Sequence, residues 1–147
     1  MNQQQKYILN LQRKSRERKR EQAFVIEGRK MFEEAPSDRV KMIVASESFC
    51  KSKEGAALLK EKKFDVVSDS IFETLSDTKT PQGILAIVKR LNYMMNDLMQ
   101  VKNQKAPHLV VLDNLQDPGN LGTIFRTAEA AGVTGILLSK DCVDVYN

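Results

Sequence analysis

The chain has 147 residues, of which 41% are hydrophobic and 29% are charged. This composition is that of an ordinary globular chain, and the length allows one domain or two small ones, so a large multidomain assembly and a wholly disordered or collagen-like chain are excluded. The longest apolar runs fall far short of the roughly 20 residues of a membrane-spanning helix, and the polar, basic N-terminus lacks the apolar core of a secretory signal. We therefore expect a cytoplasmic protein without a membrane span.

The net charge of +4 is concentrated at the front of the chain. Residues 1–22 hold seven basic side chains against two acidic ones, whereas residues 107–147 hold two basic against five acidic. Such a basic segment attracts RNA or DNA through counterion release, and the alternative is a solvated helix face without a partner. Two cysteines and one histidine are too few for a disulfide framework or a zinc cluster, so no metal site is predicted.

Helical and strand patterns alternate through the first 90 residues. Apolar residues at helical spacing predict helices, and short apolar runs bounded by turn residues predict strands. The predicted elements, in chain order, are a basic helix over 6–21, a strand over 23–27, a helix over 29–35, a strand over 40–45, a helix over 53–62, a strand over 64–67, a helix over 70–77 and a strand over 84–88. This alternation predicts an α/β domain over residues 1–90 with helices packed on the sheet.

Residues 91–106 are rich in methionine and then polar, which predicts a linker with a helical stretch. Its methionines, Met94, Met95 and Met99, are expected to pack against a neighbouring surface. From Pro107 onward the pattern predicts a βαβ unit with a strand over 108–115, a helix over 121–132 and a strand over 135–139.

A βαβ unit of about 40 residues rarely buries both faces of a sheet. We therefore expect an exposed apolar sheet face and a tendency of the chain to associate. Three alternatives remain for this unit: it packs on the first domain, it pairs with a second chain at the sheet edge, or it is partly disordered.

The loop between the strand and the helix of this βαβ unit is the most specific part of the sequence. Residues 117–119 (Asp-Pro-Gly) form a turn, and Asn120 is predicted to cap the helix. Gly122 removes a side chain from the first turn, so another backbone or a ligand can approach closely. Arg126 lies one turn further along, off the apolar face, with room to reach back to the carboxyl end of the strand, where open α/β sheets bind ligands. An arginine there suits a phosphate or a ribose hydroxyl, and a solvated arginine is the alternative.

Residues 114–132 resemble the first signature motif of the SpoU-type (TrmH family) RNA ribose methyltransferases, Asp-Pro-x-Asn-x-Gly-x-x-x-Arg-Thr-Ala. The matching residues are Asp117, Pro118, Asn120, Gly122, Arg126, Thr127 and Ala128. The segments FVIEGRKMFEEA (24–35) and TPQGILAIV (80–88) resemble the substrate-binding domain that precedes the catalytic domain in this family. The resemblance covers nearly the whole chain.

The resemblance implies a fold and a partner. The fold is α/β, with an N-terminal ribosomal-protein-like α/β/α RNA-binding domain (1–90), a linker (91–106) and an incomplete βαβ start of a SPOUT methyltransferase domain (107–147), a fold of the knotted, Rossmann-like type. The implied partner is ribosomal or transfer RNA, with candidate contacts at Lys14, Arg16, Lys19, Arg20 and Arg29.

The implied activity is transfer of a methyl group from S-adenosylmethionine to the 2′-hydroxyl of a ribose. Arg126 and Asn120 are the implied catalytic residues. Arg126 would hold the target phosphate or activate the hydroxyl, and Asn120 would shape the same site. Because a guanidinium stays protonated at physiological pH, we favour positioning and electrostatics over proton abstraction for Arg126.

The sequence departs from the family pattern at its end, since the family's further motifs normally lie beyond Asn147. The second and third signature motifs, which supply the knot, the S-adenosylmethionine pocket and much of the family's homodimer, have no counterpart within these 147 residues. We therefore expect an N-terminal fragment with no cofactor-binding residues and no activity by itself, and the sequence does not determine its oligomeric state. A non-catalytic RNA-binding module is the main alternative. A dinucleotide-binding domain ranks last, because GxGxxG is absent.

Overall fold

The computed structural model describes residues 2–101 and 106–146, and they form two compact units. The N-terminal unit runs to Arg90 and includes Tyr146, whose ring centroid lies 4.7 Å from that of Phe24. The C-terminal unit runs from Leu91 to Val145. Part of the predicted linker, residues 102–105, lies outside the described residues.

The N-terminal unit alternates helices and strands. Its elements are α1 Gln3–Arg13, α2 Ser15–Glu21, β1 Ala23–Glu27, α3 Arg29–Glu34, a 3-10 turn Ser37–Arg39, β2 Val40–Ser46, α4 Glu47–Lys51, α5 Lys53–Leu59, β3 Asp65–Val67, α6 Asp69–Leu75 and β4 Ile84–Lys89. Each predicted strand of this part is present within one residue of its predicted bounds. The short helix α4, capped by Ser46, was not predicted from the sequence.

The four strands form one mixed sheet in the order β1-β4-β2-β3. β4 runs antiparallel to both β1 and β2, while β3 runs parallel to β2. The central strand β4 is buried from Ile84 to Val88, as its uninterrupted apolar run requires of a strand covered on both faces. Because β1, β2 and β3 point the same way, their amino ends lie at one edge of the sheet, called here the amino edge, and their carboxyl ends lie at the opposite, carboxyl edge.

Helices cover both faces of this sheet. On one face, Ile8 and Leu11 of α1 and Phe72 and Leu75 of α6 form a buried cluster with strand residues such as Leu85. The other face buries a second set, made of Phe32, Ile43, Ala45, Leu59, Ile84, Ala86 and Val88 among others. The side chains of β4 alternate between the two clusters, as the period of two in a strand requires. This three-layer arrangement confirms the predicted α/β class.

The prediction of one helix over 6–21 was wrong, because the chain breaks at Lys14. Lys14 is extended (φ −125°, ψ 108°) and separates α1 from α2. The buried guanidinium of Arg18 donates from Nη1 to the carbonyl oxygens of Leu11 (2.8 Å) and Gln12 (2.6 Å) at the end of α1. These carbonyls have no partner within a helix that ends at Arg13, so Arg18 joins the two helices into an elbow.

The C-terminal unit contains α7 Met95–Met99, β5 Leu109–Leu112, α8 Pro118–Ala130 and β6 Gly135–Leu138. β5 and β6 pair in parallel, from Leu109 opposite Gly135 to Leu112 opposite Leu138, with α8 between them in sequence. This is the predicted βαβ connection. Val111 is 69% exposed, in agreement with the expected uncovered sheet face. No helix among the described residues is long and apolar enough to cross a membrane.

The expectation that the methionines of the linker pack against a neighbouring surface was wrong for this chain. Met94, Met95 and Met99 are 74%, 54% and 51% exposed. Leu98 makes the contact instead, since its Cδ2 lies 2.8 Å from the position that a Cβ on Gly135 would take. A glycine in β6 therefore lets α7 approach the strand.

Candidate functional site

The site is built at the start of α8, where the loop after β5 meets the helix. Asp117 is the N-cap, and its Oδ1 accepts a hydrogen bond from the backbone N–H of Asn120 at 2.6 Å. Pro118 takes the first helical position. Proline is tolerated there because a backbone N–H at this position would have no acceptor within the helix. The prediction that Asn120 caps the helix was therefore wrong. The helix begins three residues earlier than Leu121, and Asn120 lies in its first turn.

The guanidinium of Arg126 folds back over the first turn of α8. Its Nη2 donates to Oγ1 of Thr123 at 3.0 Å, and Oγ1 of Thr123 in turn donates to the carbonyl of Gly119 at 3.0 Å. Nη1 lies 3.4 Å from where a Cβ on Gly122 would stand, so the guanidinium lies directly beside Gly122, at ordinary van der Waals distance. The side chain of Arg126 is exposed and thus remains accessible to an anionic ligand.

The two predicted catalytic residues are near each other in sequence but are not joined by a hydrogen bond within the described ranges. Asn120 is exposed, and its backbone rather than its side chain bonds Asp117. Arg126 is held by Thr123. The structure thus holds the guanidinium of Arg126 beside Gly122 and Thr123 of α8, and the side chain of Asn120 is exposed.

The residues after β6 hold the loop after β5, a feature that the sequence analysis missed. The N–H of Asn114, which has φ +52°, donates to Oγ of Ser139 at 3.0 Å. Sγ of Cys142 donates to the carbonyl of Leu112 and accepts from the N–H of Leu115, both at 3.4 Å. The predicted βαβ unit contained a signal for this contact. Its two strands are parallel neighbours, so the segments that follow β5 and β6 begin at the same end of the sheet.

The basic residues predicted to contact RNA differ in how their charges are compensated. Lys14, Arg16 and Lys19 are exposed and form no ion pair within residues 2–101 and 106–146. They present an uncompensated positive surface on α2 and at its start.

Two other predicted contacts, Arg20 and Arg29, are each bound to a pair of carboxylates. Arg20 bonds Glu17 at 2.6 Å and Glu21 at 3.0 Å, and Arg29 bonds Glu33 and Glu54, both at 3.0 Å. The hydrogen bond with Glu21 raises the pKa of Arg20, and that with Glu33 raises the pKa of Arg29. The charges of Arg20 and Arg29 are therefore largely compensated by these neighbouring carboxylates.

Among the described residues, no group of three or more His, Cys, Asp or Glu side chains could hold a metal ion. Both cysteines are free and partly buried. Burial raises the pKa of the Cys50 thiol, which makes it less reactive than an exposed cysteine.

Comparison with known protein families matches both parts of the chain. Residues 2–86 match the model of the MRM3-like substrate binding domain, and residues 107–147 match the model of the SpoU rRNA Methylase family. The first match alone covers more than half of the chain. The second begins at Pro107 and includes the loop and helix that hold Arg126.

Individual relatives agree with these matches. The chain is 41% identical over 93 residues to rRNA methyltransferase 3, mitochondrial, of Homo sapiens, which covers 63% of this chain and 21% of that protein. It is 31% identical over 135 residues to 23S rRNA (guanosine(2553)-2'-O)-methyltransferase RlmP of Bacillus subtilis, which covers 90% of this chain and 50% of that protein. The chain thus spans between a fifth and a half of the length of these relatives.

Solved structures share the fold over the full length of the chain. The AdoMet-bound rRNA methyltransferase from Sinorhizobium meliloti superimposes with a TM-score of 0.73 at 29% identity, covering 99% of this chain and 54% of that one. The SpoU methyltransferase AviRb from Streptomyces viridochromogenes, in complex with AdoMet, gives a TM-score of 0.78 at 21% identity, with 99% and 56% coverage. The second likeness shows the fold alone.

Proposed function

The chain belongs to the SpoU (TrmH) family of rRNA methyltransferases, with an MRM3-like substrate-binding domain followed by the start of a SpoU domain, and we propose that it supplies the RNA-binding and ribose-orienting parts of a 2′-O-methyltransferase. The observation that carries this proposal is the position of Arg126. In the matched motif its guanidinium is hydrogen-bonded to Thr123 and lies beside Gly122, which supports a role at this end of α8.

The proposal divides the work between the two parts of the chain. Residues 1–90 bind the RNA substrate, ribosomal RNA first because the relatives are named for it, and the exposed cations Lys14, Arg16 and Lys19 contact its phosphates. Residues 107–147 present Arg126 and Asn120 to the target nucleotide, with residues 91–106 as the linker. Arg20 and Arg29 are weaker candidates for phosphate contacts, because binding a phosphate would compete with their carboxylate partners.

The chemistry of Arg126 is positioning. A guanidinium offers several N–H donors in a plane, and only one bond of Arg126 to Thr123 is made within the described residues. The remaining donors are free to bind a phosphate oxygen or the ribose 2′-oxygen, which fixes the hydroxyl for attack and favours developing negative charge on it. The amide of Asn120, at the same end of α8, can accept or donate one further hydrogen bond to the nucleotide.

The residues of β5 and the loop after it do not by themselves form a pocket for S-adenosylmethionine, the cofactor that this family implies. A pocket that buries an adenosyl group needs walls on more than one side, whereas Val111 in β5 is 69% exposed and the loop residues from Asp113 to Asn120 are largely exposed. No step of methyl transfer is therefore assigned to this chain alone. We propose that these 147 residues bind RNA but neither bind the cofactor nor turn over.

A non-catalytic RNA-binding module is the second candidate, and one observation favours it. The N-terminal unit has a buried core on both faces of its sheet, so its fold does not depend on the rest of the chain, and its exposed cations would then be sufficient for RNA binding. The homodimer that the family resemblance implies is a further proposal. The cytoplasmic location stays a prediction, because the human relative carries the word mitochondrial in its name.

The test of the Arg126 role is RNA binding by matched variants. Arg126→Ala removes the guanidinium, and Glu129→Ala, an exposed position on the same helix, is the control. Fluorescence anisotropy with a single-stranded ribosomal RNA fragment should show about fivefold weaker binding for Arg126→Ala, since an exposed charge-assisted hydrogen bond contributes about 1 kcal/mol. Equal affinity of both variants and the unmodified chain would contradict the proposed role.

A further inference from the structure

The amino edge of the N-terminal sheet concentrates basic side chains. Lys41 lies at the start of β2, Lys89 at the end of β4, and Lys62 and Lys63 just before β3, and all four are exposed. Within the described parts of the chain none of the four forms an ion pair. None of these four charges is therefore bound by a carboxylate within those parts of the chain.

A groove of about 630 Å³ opens at this edge. Its floor is apolar and includes Phe32 of α3, Leu58 of α5 and the strand residues Val40 and Ile43. Its margin carries three lysines, called here the groove lysines: Lys41, Lys62 and Lys63. An apolar floor with a cationic margin is thus present on one surface.

The groove exists because β3 is short. β3 pairs with β2 only from Val44 to Ser46, so the first half of β2 has β4 on one side and no described strand on the other. The chain before β3 supplies lysines at this point instead of a longer strand. The opening is therefore a consequence of the sheet's pairing.

Among the side chains that line the groove, the three lysines outnumber one carboxylate, that of Glu33. Oε1 of Glu33 accepts a hydrogen bond from Nε of Arg29 at 3.0 Å, so its charge is shared with a further cation. Asp38, Glu61 and Asp65 lie close to the lining residues in the sequence, and Asp65 accepts a hydrogen bond from Nε2 of Gln4 at 2.5 Å. The lining itself therefore has a net positive charge, which attracts an anion.

We propose that this groove binds an unpaired nucleotide of the RNA substrate, with the base on the apolar floor and the flanking phosphates on the groove lysines. The proposal rests on the proposed function, because it takes RNA as the substrate of the N-terminal unit. Nucleotides of single-stranded RNA combine an apolar base with an anionic backbone, and proteins bind them with apolar or aromatic surfaces beside basic grooves. An acidic peptide matches the margin but leaves the floor without a partner.

Another cleft of the N-terminal unit is a poorer match for RNA. It measures about 540 Å³, lies at the carboxyl edge and is lined by Glu54, Asp69 and Glu73. Its one arginine, Arg29, is held by two carboxylates. The lining of this cleft holds three carboxylates against one arginine, whereas that of the groove holds three lysines against one carboxylate, so the groove suits the RNA backbone better.

The test compares two triple variants of the full chain with equal changes in net charge. One removes the groove lysines (Lys41→Ala, Lys62→Ala and Lys63→Ala). The control replaces three exposed lysines near the carboxyl edge (Lys30→Ala, Lys51→Ala and Lys79→Ala). The probe is a fluorescent single-stranded oligouridylate, titrated at several salt concentrations.

The groove variant should lose both affinity and salt dependence. Three lost phosphate contacts at about 0.7 each lower the slope of log K against log salt by about 2, so chains of equal affinity at about 1 M salt would differ about 100-fold at about 0.1 M. The control variant should bind within about threefold of the unmodified chain. Equal losses in the two variants would show only diffuse charge and would overturn the proposal.

A second measurement locates the base on the floor. In methyl NMR spectra of the full chain, the oligouridylate should shift the signals of Ile43 and Leu58 and leave those of Ile8 and Leu75, on the other face, unchanged. Saturating RNA without shifts of the floor methyls would overturn the groove, as would shifts caused by polyglutamate but not by RNA. If the unmodified chain and the groove variant bind RNA equally well, the proposal about the groove is refuted but the proposed function is not. If no chain binds RNA, the RNA-binding part of the proposed function is refuted as well.

Discussion

The elbow between α1 and α2 provides a stability prediction that depends on one buried side chain. Arg18 is 3% exposed, and its Nη1 donates to the carbonyls of Leu11 and Gln12. Replacing it with methionine keeps most of the apolar volume but removes both donors. A buried acceptor left without a partner costs roughly 1–3 kcal/mol. The Leu11 carbonyl bond is buried and that of Gln12 is partly buried, so Arg18→Met should lower the free energy of unfolding by about 3 kcal/mol.

Urea denaturation followed by far-ultraviolet circular dichroism measures this loss. Arg16→Met, in the same helix but exposed, is the matched control and should stay within about 0.5 kcal/mol of the unmodified chain. Hydrogen exchange should also become faster in residues 3–21 of the Arg18→Met chain, because the elbow no longer closes. A free energy of unfolding for Arg18→Met equal to that of Arg16→Met would refute the reasoning.

Three further predictions concern the N-cap of α8, the position of Gly122 and the pKa of Asp69. Asp117→Ala should destabilise the C-terminal unit by about 1 kcal/mol in thermal unfolding, and Asn120→Ala should change it by less than half as much, because Asp117 is the N-cap; the reverse order would contradict the cap assignment. Gly122→Val should weaken RNA binding as much as loss of the motif arginine does, because its side chain displaces that guanidinium, and unchanged binding would count against it. The side-chain hydrogen bond from Ser48 lowers the pKa of Asp69. The stabilising effect of this carboxylate should therefore be present above its unfolded-state pKa and disappear as the pH falls through its lower folded-state pKa. An Asp69→Asn variant whose stability difference from the unmodified chain does not shrink in strong acid would refute this.

Short-range pattern was sufficient to predict most elements of the fold. The apolar run from Ile84 to Val88 predicts a strand, and β4 is found there, buried on both faces as an interior strand of the sheet. The strand order β1-β4-β2-β3 was not predictable, because pairing between segments distant in sequence depends on how helices cover each face. The helix α4 was missed because five residues are too few to show a period.

Charged residues were the hardest to interpret from sequence. Arg18 belongs to a run of basic residues that predicts a solvated or RNA-binding face, yet it is buried against the end of α1. Arg20 and Arg29 lie beside carboxylates brought close by helical turns or by tertiary folding. For Arg126 the spacing was informative, because a residue four positions after Gly122 lies above it on a helix. The contribution of Cys142 to the loop depends on the pairing of β5 with β6 and could not be read from spacing.

The central claim is that these 147 residues form an RNA-binding part of a SpoU-family enzyme and do not suffice to hold its cofactor. Calorimetric titration of the full chain with S-adenosylmethionine tests it most directly, with circular dichroism to show that the chain is folded and an RNA titration of the same sample to show that it is competent to bind. The account predicts RNA binding without measurable heat from S-adenosylmethionine. Saturable binding of S-adenosylmethionine at micromolar concentration would contradict it, because the described residues would then form a cofactor site, alone or in an assembly of chains.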